Sequence, residues 1–260
     1  MHDVTKQWAA VLSDAWGIDA TCEPLPGEFD LNFRATTRDG ATYVLKVMRA
    51  ECDASFVSLL CAAHQHIRSR DASVPVPAVI ATVDGKPWCV RADENGADRM
   101  LWLLSWLEGA AYARFQPHSR ALASSIGDAV ARMDRALADF THPALRRELK
   151  WNLLHADWIG AHLHEIADPA RRAIVERSLN RYLTLKPALL AQPLAVIHND
   201  LNDYNLLVAR ANDGAPALTG IVDFGDMIDG PLVAEIAIAG AYLALEHPAP
   251  DLALAEFVAA

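Results

Sequence analysis

Between two apolar runs, Val196-Ile197 and Leu206-Leu207-Val208, lies a polar loop that holds His198, Asp200 and Asn205. Eighteen residues after Asn205 a further apolar run, Gly220-Ile221-Val222, ends in Asp223, and Phe224-Gly225-Asp226 follow, the glycine letting the chain turn away. Asp200 can serve as base or orienter for a hydroxyl. Asn205 and Asp223 are hard oxygen donors of the kind that hold Mg2+, and the predicted hairpin over 206–222 brings them together. A base, oxygen ligands for a metal that bridges nucleotide phosphates, and a cation on those phosphates are the parts that phosphoryl transfer needs; most of its catalysis is positioning and charge stabilisation. The chemistry implied is transfer of the γ-phosphoryl group of ATP to a hydroxyl. A lone aspartate in such a loop would pass as a turn former, but three oxygen-bearing side chains at this spacing read as a site.

The pattern His198-x-Asp200, four residues, Asn205, followed by Ile221-Val222-Asp223-Phe224-Gly225, resembles the catalytic and metal loops of the aminoglycoside phosphotransferase and choline kinase superfamily, which shares the protein-kinase fold. The wording HNDLNDYNLLV, GIVDFGDM and AEIAIAGAYL resembles most its hydroxylysine-kinase-like branch. In bacteria such domains also occur fused ahead of aminotransferase modules. The resemblance implies an α+β, two-lobed fold: a small antiparallel-sheet lobe over 1–107 that binds nucleotide, and a larger, mainly helical lobe over 108–260 for catalysis and the acceptor. It implies ATP and Mg2+ as cofactors and a small-molecule hydroxyl as acceptor. His198 is grouped with Asp200 in the catalytic loop, where its expected part is a backbone hydrogen bond that shapes the loop.

The resemblance also implies a phosphate-contacting lysine on the third strand of the small lobe, and Lys46 in Tyr43-Val44-Leu45-Lys46-Val47 fits. A lysine among apolar neighbours is costly without a partner; a lysine on an exposed face is the plain alternative. Its acid partner is expected on the following helix, yet that helix has no acid in its middle, and Ser58 stands where one would be sought. Glu51 and Asp53 either substitute or only favour the helix N-terminus electrostatically. The phosphate-covering loop, LPGEFDLNFR over 25–34, has the single glycine Gly27, with Asp30 and Asn32 as candidate contacts through side chain or backbone. Ser105 and Leu107, at the crossover over 104–107, are the candidates to read the adenine edge.

Asp226 is open to three roles: metal ligand, partner of a substrate amine, or cap of the next helix. Asp203 faces either substrate or solvent. The acids near the catalytic loop, Asp203, Asp226, Asp229 and Glu235, suit an amino group, so the expected acceptor is a hydroxylated amino acid or amino alcohol. The rivals are an aminoglycoside- or choline-type kinase, a catalytically silent nucleotide-binding module (favoured by the missing helix acid and the plain loop), and a metal-dependent hydrolase using His198, Asp200 and Asp223.

The elements that must position these residues follow from periodicity. Trp8, Val11, Leu12 and Trp16 share a helical face over 4–17. Residues 28–48 turn to strand alternation, with a hairpin at Arg38-Asp39-Gly40. A helix is expected over 53–69, strands over Val79–Thr82 and Trp88–Arg91 around Asp84-Gly85, and another over Met100–Leu107. From 119 to 190 nearly everything has helical period, with Pro143, Pro169 and Pro187 as breaks or starts. Leu194–Ile197 reads as a buried strand, the hairpin around Asn212-Asp213-Gly214 follows, and a last apolar helix covers 231–245. Residues 251–260 stop in a helical pattern without a cap, as one domain of a longer protein would, or as a terminal helix without a tail.

Composition narrows the partners. A net charge of -10 argues against affinity for nucleic-acid backbones or anionic membranes, and is compatible with a cationic substrate. Cysteines 22, 52, 61 and 89 have no metal-ligand or disulfide spacing and read as reduced, packed thiols. His64-Gln65-His66 and His162-Leu163-His164 sit two apart on predicted helices, so each pair points apart rather than toward a metal. The start of the chain lacks an apolar signal core, and no apolar run approaches about 18 residues. A cytoplasmic protein is expected.

Overall fold

The computed structural model describes residues 4–211, 213–245 and 247–260. Helix α1 (Val4–Trp16) is followed by an antiparallel meander of β1 (Ala20–Leu25), β2 (Leu31–Thr37) and β3 (Thr42–Val47). The sequence reading omits β1 because Pro24 lies within it. β1 is an edge strand, where a missing N–H is tolerated. After α2 (Ala54–Arg70) come β4 (Val79–Ile80), β5 (Cys89–Ala92) and β6 (Asp98–Ser105). β4 and β5 do not form a hairpin with each other; both pair with β6, at different ends. The sheet runs β1-β2-β3-β6-β4, with β5 also on β6.

Alternation sorts this sheet's side chains to two faces. Leu45, Val47, Leu101 and Leu103 pack on Trp8 and Leu12 of α1. Trp102 and Leu104 turn to the other face and join Val57 and Leu60 of α2. Each such fully buried side chain contributes roughly 1.5–3 kcal/mol, enough to fix the register that puts Lys46 opposite Trp102.

Past Ser105 the chain becomes mainly helical. The elements are β7 (Ala110–Ala111), α3 (Arg120–Leu137), α4 (Ile159–His162), α5 (Pro169–Leu190), β8 (Leu194–Ile197), β9 (Leu206–Arg210), β10 (Pro216–Ile221), β11 (Ile228–Pro231), α6 (Leu232–Ala244) and α7 (Pro250–Ala259). Ser119 caps α3, accepting from the Leu122 N–H, and Asp168 caps α5 ahead of Pro169. Two expectations fail here. Residues 138–158 are irregular apart from short 3-10 turns at Pro143–Leu145 and Leu153–Trp158, because their helix-forming composition lacks a continuous apolar face to bury. Pro187 does not break α5, which buries none of its residues, so the carbonyl freed by the proline can be solvated.

β9 and β10 form the expected hairpin, whose turn residue Asn212 lies outside the described residues; β7 adds to β9. β11 pairs with β8; its sequence, Ile-Asp-Gly-Pro, has the residues of a turn rather than a strand and was not anticipated. One apolar core runs from α2 and β6 through α3 to β8, β9, β10, α6 and α7. It is this shared core that presses the loops after β8 and β10 against the first sheet. Among the described residues no helix is long and apolar enough to cross a membrane.

Candidate active site

The loop after β8 is anchored by main-chain bonds. Glu235, wholly buried on α6, accepts the His198 N–H at Oε1 (2.8 Å) and the Asn199 N–H at Oε2 (2.9 Å). Burial first, and then the charge of Asp134, push its pKa up to about 8, against the two N–H donors. Asn199 takes φ +66°, a left-handed conformation that the doubly held backbone enforces. Glu235, read from sequence as one of the acids suited to a substrate amine, is therefore an internal anchor.

His198 makes the loop-shaping backbone bond expected of it. It is 0% exposed and presents nothing to the cleft. Its Nε2–H donates to the Val222 carbonyl (3.1 Å), and its Nδ1 accepts the Asp200 N–H (3.3 Å), which together require one neutral tautomer. Burial lowers its pKa to about 4. The imidazole thus bonds the 198–205 loop to the strand end before Asp223, a positioning role. Phe224 is wedged between His198 and His64, 4.5 Å from each ring. His64, also fully buried, bonds the Leu60 carbonyl from Nδ1 (2.8 Å).

Asp200 follows, half-buried. Its Oδ1 accepts from Asn202 Nδ2 (3.0 Å) and its Oδ2 from Asn205 Nδ2 (2.8 Å). Burial, helped by the charges of Asp226 and Asp223, pushes its pKa up to about 6. With its NH2 committed to Asp200, Asn205 keeps its amide oxygen as an acceptor or metal ligand.

Asp223 stands at the end of β10 with φ +64°. Lys46 Nζ lies 3.4 Å from its Oδ1, and that charge holds the Asp223 carboxyl below the usual range. A Cβ at Gly225 would come within 3.3 Å of Asp223 Oδ1, so the residue type there keeps the carboxylate clear. The helix partner expected for Lys46 is absent. Asp53 is the N-cap of α2, accepting from the Ser55 N–H; Glu51 is exposed; and Ser58 Oγ faces His142 Nε2 at 3.4 Å.

The phosphate-covering loop is braced from within. A Cβ at Gly27 would fall 2.4 Å from the Asp30 carbonyl, so only glycine fits. Asp30 Oδ1 accepts the Arg49 N–H (2.7 Å), and Asn32 Nδ2 donates to the Pro26 carbonyl (3.0 Å). Asn32 Oδ1 keeps no hydrogen-bond partner, and Asp30 and Asn32 both line the cavity that holds Lys46.

Two adjoining cavities hold most of these residues. One, about 320 Å3, is lined by Gly27, Lys46, Arg147, Asp200, Asp223 and Asp226 among others. The second, about 240 Å3, runs from Lys46 and Asp223 past Asn205 to Ser105 and Leu107 at the crossover. Ser105 has its Oγ and N–H engaged by Ala78 (2.9 and 2.8 Å). Thr219 Oγ1 donates to the Glu108 carbonyl (2.6 Å) and pins the crossover to β10.

The acids suited to an amine separate. Asp226 lines the first cavity, half-buried, with burial raising its pKa. Asp203 does not line it; its charge acts on Tyr112 and Tyr242 instead. Asp229 is turned toward Arg146, 3.9 Å away. Arg147, in a stretch whose composition reads as a solvated helical face, lines the cavity instead, because 138–158 is irregular and no helical period orients its side chains.

Residues 21–260 match the family APH, described as the phosphotransferase enzyme family. A hydroxylysine kinase of Mus musculus is 28% identical over 264 residues, covering 94% of this chain and 70% of that protein. Among solved structures, an amicoumacin kinase with AMP-PNP, Ca2+ and Ami superposes with a TM-score of 0.71 at 14% identity, covering 98% of this chain and 76% of that one. A microcompartment-associated aminopropanol kinase superposes with a TM-score of 0.65 at 16% identity, covering 98% and 79%. The fold is thus the protein-kinase-like, two-lobed α+β arrangement of these enzymes.

Proposed function

The chain belongs to the phosphotransferase enzyme family, and from that membership we propose a small-molecule kinase in which Asp200 is the base, Lys46 meets the nucleotide phosphates, and Asn205 and Asp223 hold Mg2+. The observation that carries the assignment is that Lys46, Asp200 and Asp223 line one cavity, with Lys46 Nζ 3.4 Å from Asp223 Oδ1. Among the described residues no cluster of three or more His, Cys, Asp or Glu could hold a metal. A magnesium ion here would use one amide oxygen, one carboxylate and the nucleotide's own oxygens, the sparse all-oxygen set it favours. When bound it would offset charge on the transferring phosphoryl group.

In this reading the acceptor hydroxyl gives its proton to Asp200 while its oxygen forms a bond to the γ-phosphorus, and the bond from that phosphorus to ADP breaks. Asn202 and Asn205 fix the Asp200 carboxylate, and its raised pKa makes it a stronger base than an exposed aspartate. Ser105 and Leu107 border the adenine, and the boundary between lobes falls after Leu107. The place of work is the cytoplasm.

The acceptor is a hydroxylated amino acid or amino alcohol. Support comes from the hydroxylysine kinase and aminopropanol kinase likenesses and from Asp226 in the cavity beside Asp200, placed to meet an ammonium group. The test is ADP release with MgATP and a panel of hydroxy amino acids, amino alcohols and aminoglycosides. Turnover is expected in the first two classes. No acceptor-dependent ADP from either would sink the reading.

A further inference from the structure

His198 holds the near end of the loop that carries Asp223, at Val222, and Arg147 holds its far end. Arg147 Nη2 donates to the Gly225 carbonyl and to the Met227 carbonyl, the latter at 3.3 Å. Its guanidinium lies 4.6 Å from the ring centroid of Phe56, on α2. It also lines the cavity shared by Asp200 and Asp223. One cation from an irregular segment therefore ties α2 to the two carbonyls that follow Asp223.

A half-buried guanidinium that bonds two main-chain oxygens through Nη2 and leaves Nε buried without a partner is a costly way to gain stability. It does fix geometry, because one nitrogen of a planar group bridges two carbonyls while the group rests beside the Phe56 ring. Geometry is what this loop needs: Asp223 holds φ +64°, which a non-glycine residue keeps only when its surroundings over-determine it. Lys46 cannot do this during turnover, since a metal and a triphosphate would compete for both Lys46 and the Asp223 carboxylate. Arg147 grips the main chain instead, and does not use the Asp223 carboxylate that a metal would claim.

We propose that Arg147 is a positioning residue for the metal site, clamping Gly225 and Met227 so that Asp223 presents its carboxylate to a divalent ion. The inference rests on the assignment of Asp223 as a metal ligand, and the test separates the two. Mn2+ binding in the presence of ADP is followed by electron paramagnetic resonance, and ADP binding without metal by calorimetry, for wild type, Arg147→Met, Arg147→Lys and Phe56→Leu. Loss of a group that orients a ligand weakens metal affinity about tenfold or more. Arg147→Met should show that loss while metal-free ADP affinity stays within about twofold. Arg147→Lys, which keeps the charge but not the fork, should fall between. If Arg147→Met does not fold, Phe56→Leu, which leaves both carbonyl bonds in place, should still weaken Mn2+ binding a few-fold. Wild-type Mn2+ affinity in folded Arg147→Met, or an equal loss of metal-free ADP affinity, would overturn the proposal. Absence of ADP-dependent Mn2+ binding in wild type would instead remove the metal role of Asp223, and this inference with it.

Discussion

Lys46 and Asp223 meet at 3.4 Å across 177 residues of sequence. Lys46 projects from β3 of the first sheet, and Asp223 stands at the end of β10 in the helical half, so their contact spans the crossover. Its effect is electrical: the ammonium holds the Asp223 carboxyl below the usual carboxylate range. With no acid on α2 to share it, Lys46 has this carboxylate as its partner, and the pair is ready to receive a metal and a triphosphate between its members.

Lys46→Met should therefore cost function far more than stability. The Asp223 side chain is 57% exposed, so the ion pair is worth less than about 1 kcal/mol and the urea midpoint should barely move. Removing a preorganised charge from the phosphates should lower kcat/KM for ATP by about 10²-fold or more. Steady-state kinetics beside a denaturation curve check both halves. A large stability loss with near-normal kinetics would mean that the pair is structural.

Asp200→Ala should reduce kcat by about 10²–10⁴-fold, the usual contribution of a positioned base. Nucleotide affinity should stay within about twofold, because Asp200 acts on the acceptor. Single-turnover measurements with calorimetry of ADP binding decide this. Turnover like wild type in Asp200→Ala would remove the base assignment.

How far such residues were legible depends on whether their meaning is local. Asp200, Asn205 and Asp223 could be read because each ends or interrupts an apolar strand, and one hairpin brings them together. The partner of Lys46 could not be read, since its contact joins two halves of the fold. Glu235 was visible as a lone acid in the apolar run AEIAIAG, and its environment, not its type, decides that it bonds backbone rather than substrate. That Asp30 and Asn32 also brace their own loop could not be read, since those bonds go to the Arg49 N–H and the Pro26 carbonyl. β1 was hidden by Pro24, a residue tolerated only because the strand is at an edge.

The pH dependence of kcat/KM should show an acid limb near pH 6, two units above an ordinary aspartate, because burial raises Asp200 to about 6 and only its ionised form takes a proton. Activity should fall about tenfold per unit below that point. Asn202 donates to the ionised form and lowers the pKa, so Asn202→Ala should move the limb to higher pH. Profiles of both proteins with saturating MgATP test this. A limb near pH 4, or a shift in the opposite direction, would mean that another group limits the rate.

Glu235→Ala should unfold the protein more readily and slow it at once. The change leaves the His198 and Asn199 N–H groups without an acceptor in a wholly buried place. Each unsatisfied donor costs about 1–3 kcal/mol, for a loss of roughly 2–6 kcal/mol in urea denaturation. Turnover should drop because the backbone that sets Asp200 is the backbone Glu235 holds. Glu235→Gln keeps one acceptor oxygen and presents an NH2 to the second donor, so it should lie between wild type and alanine on both measures. Loss of stability with unchanged kcat in the surviving folded fraction would show that Glu235 supports the core but does not position the base.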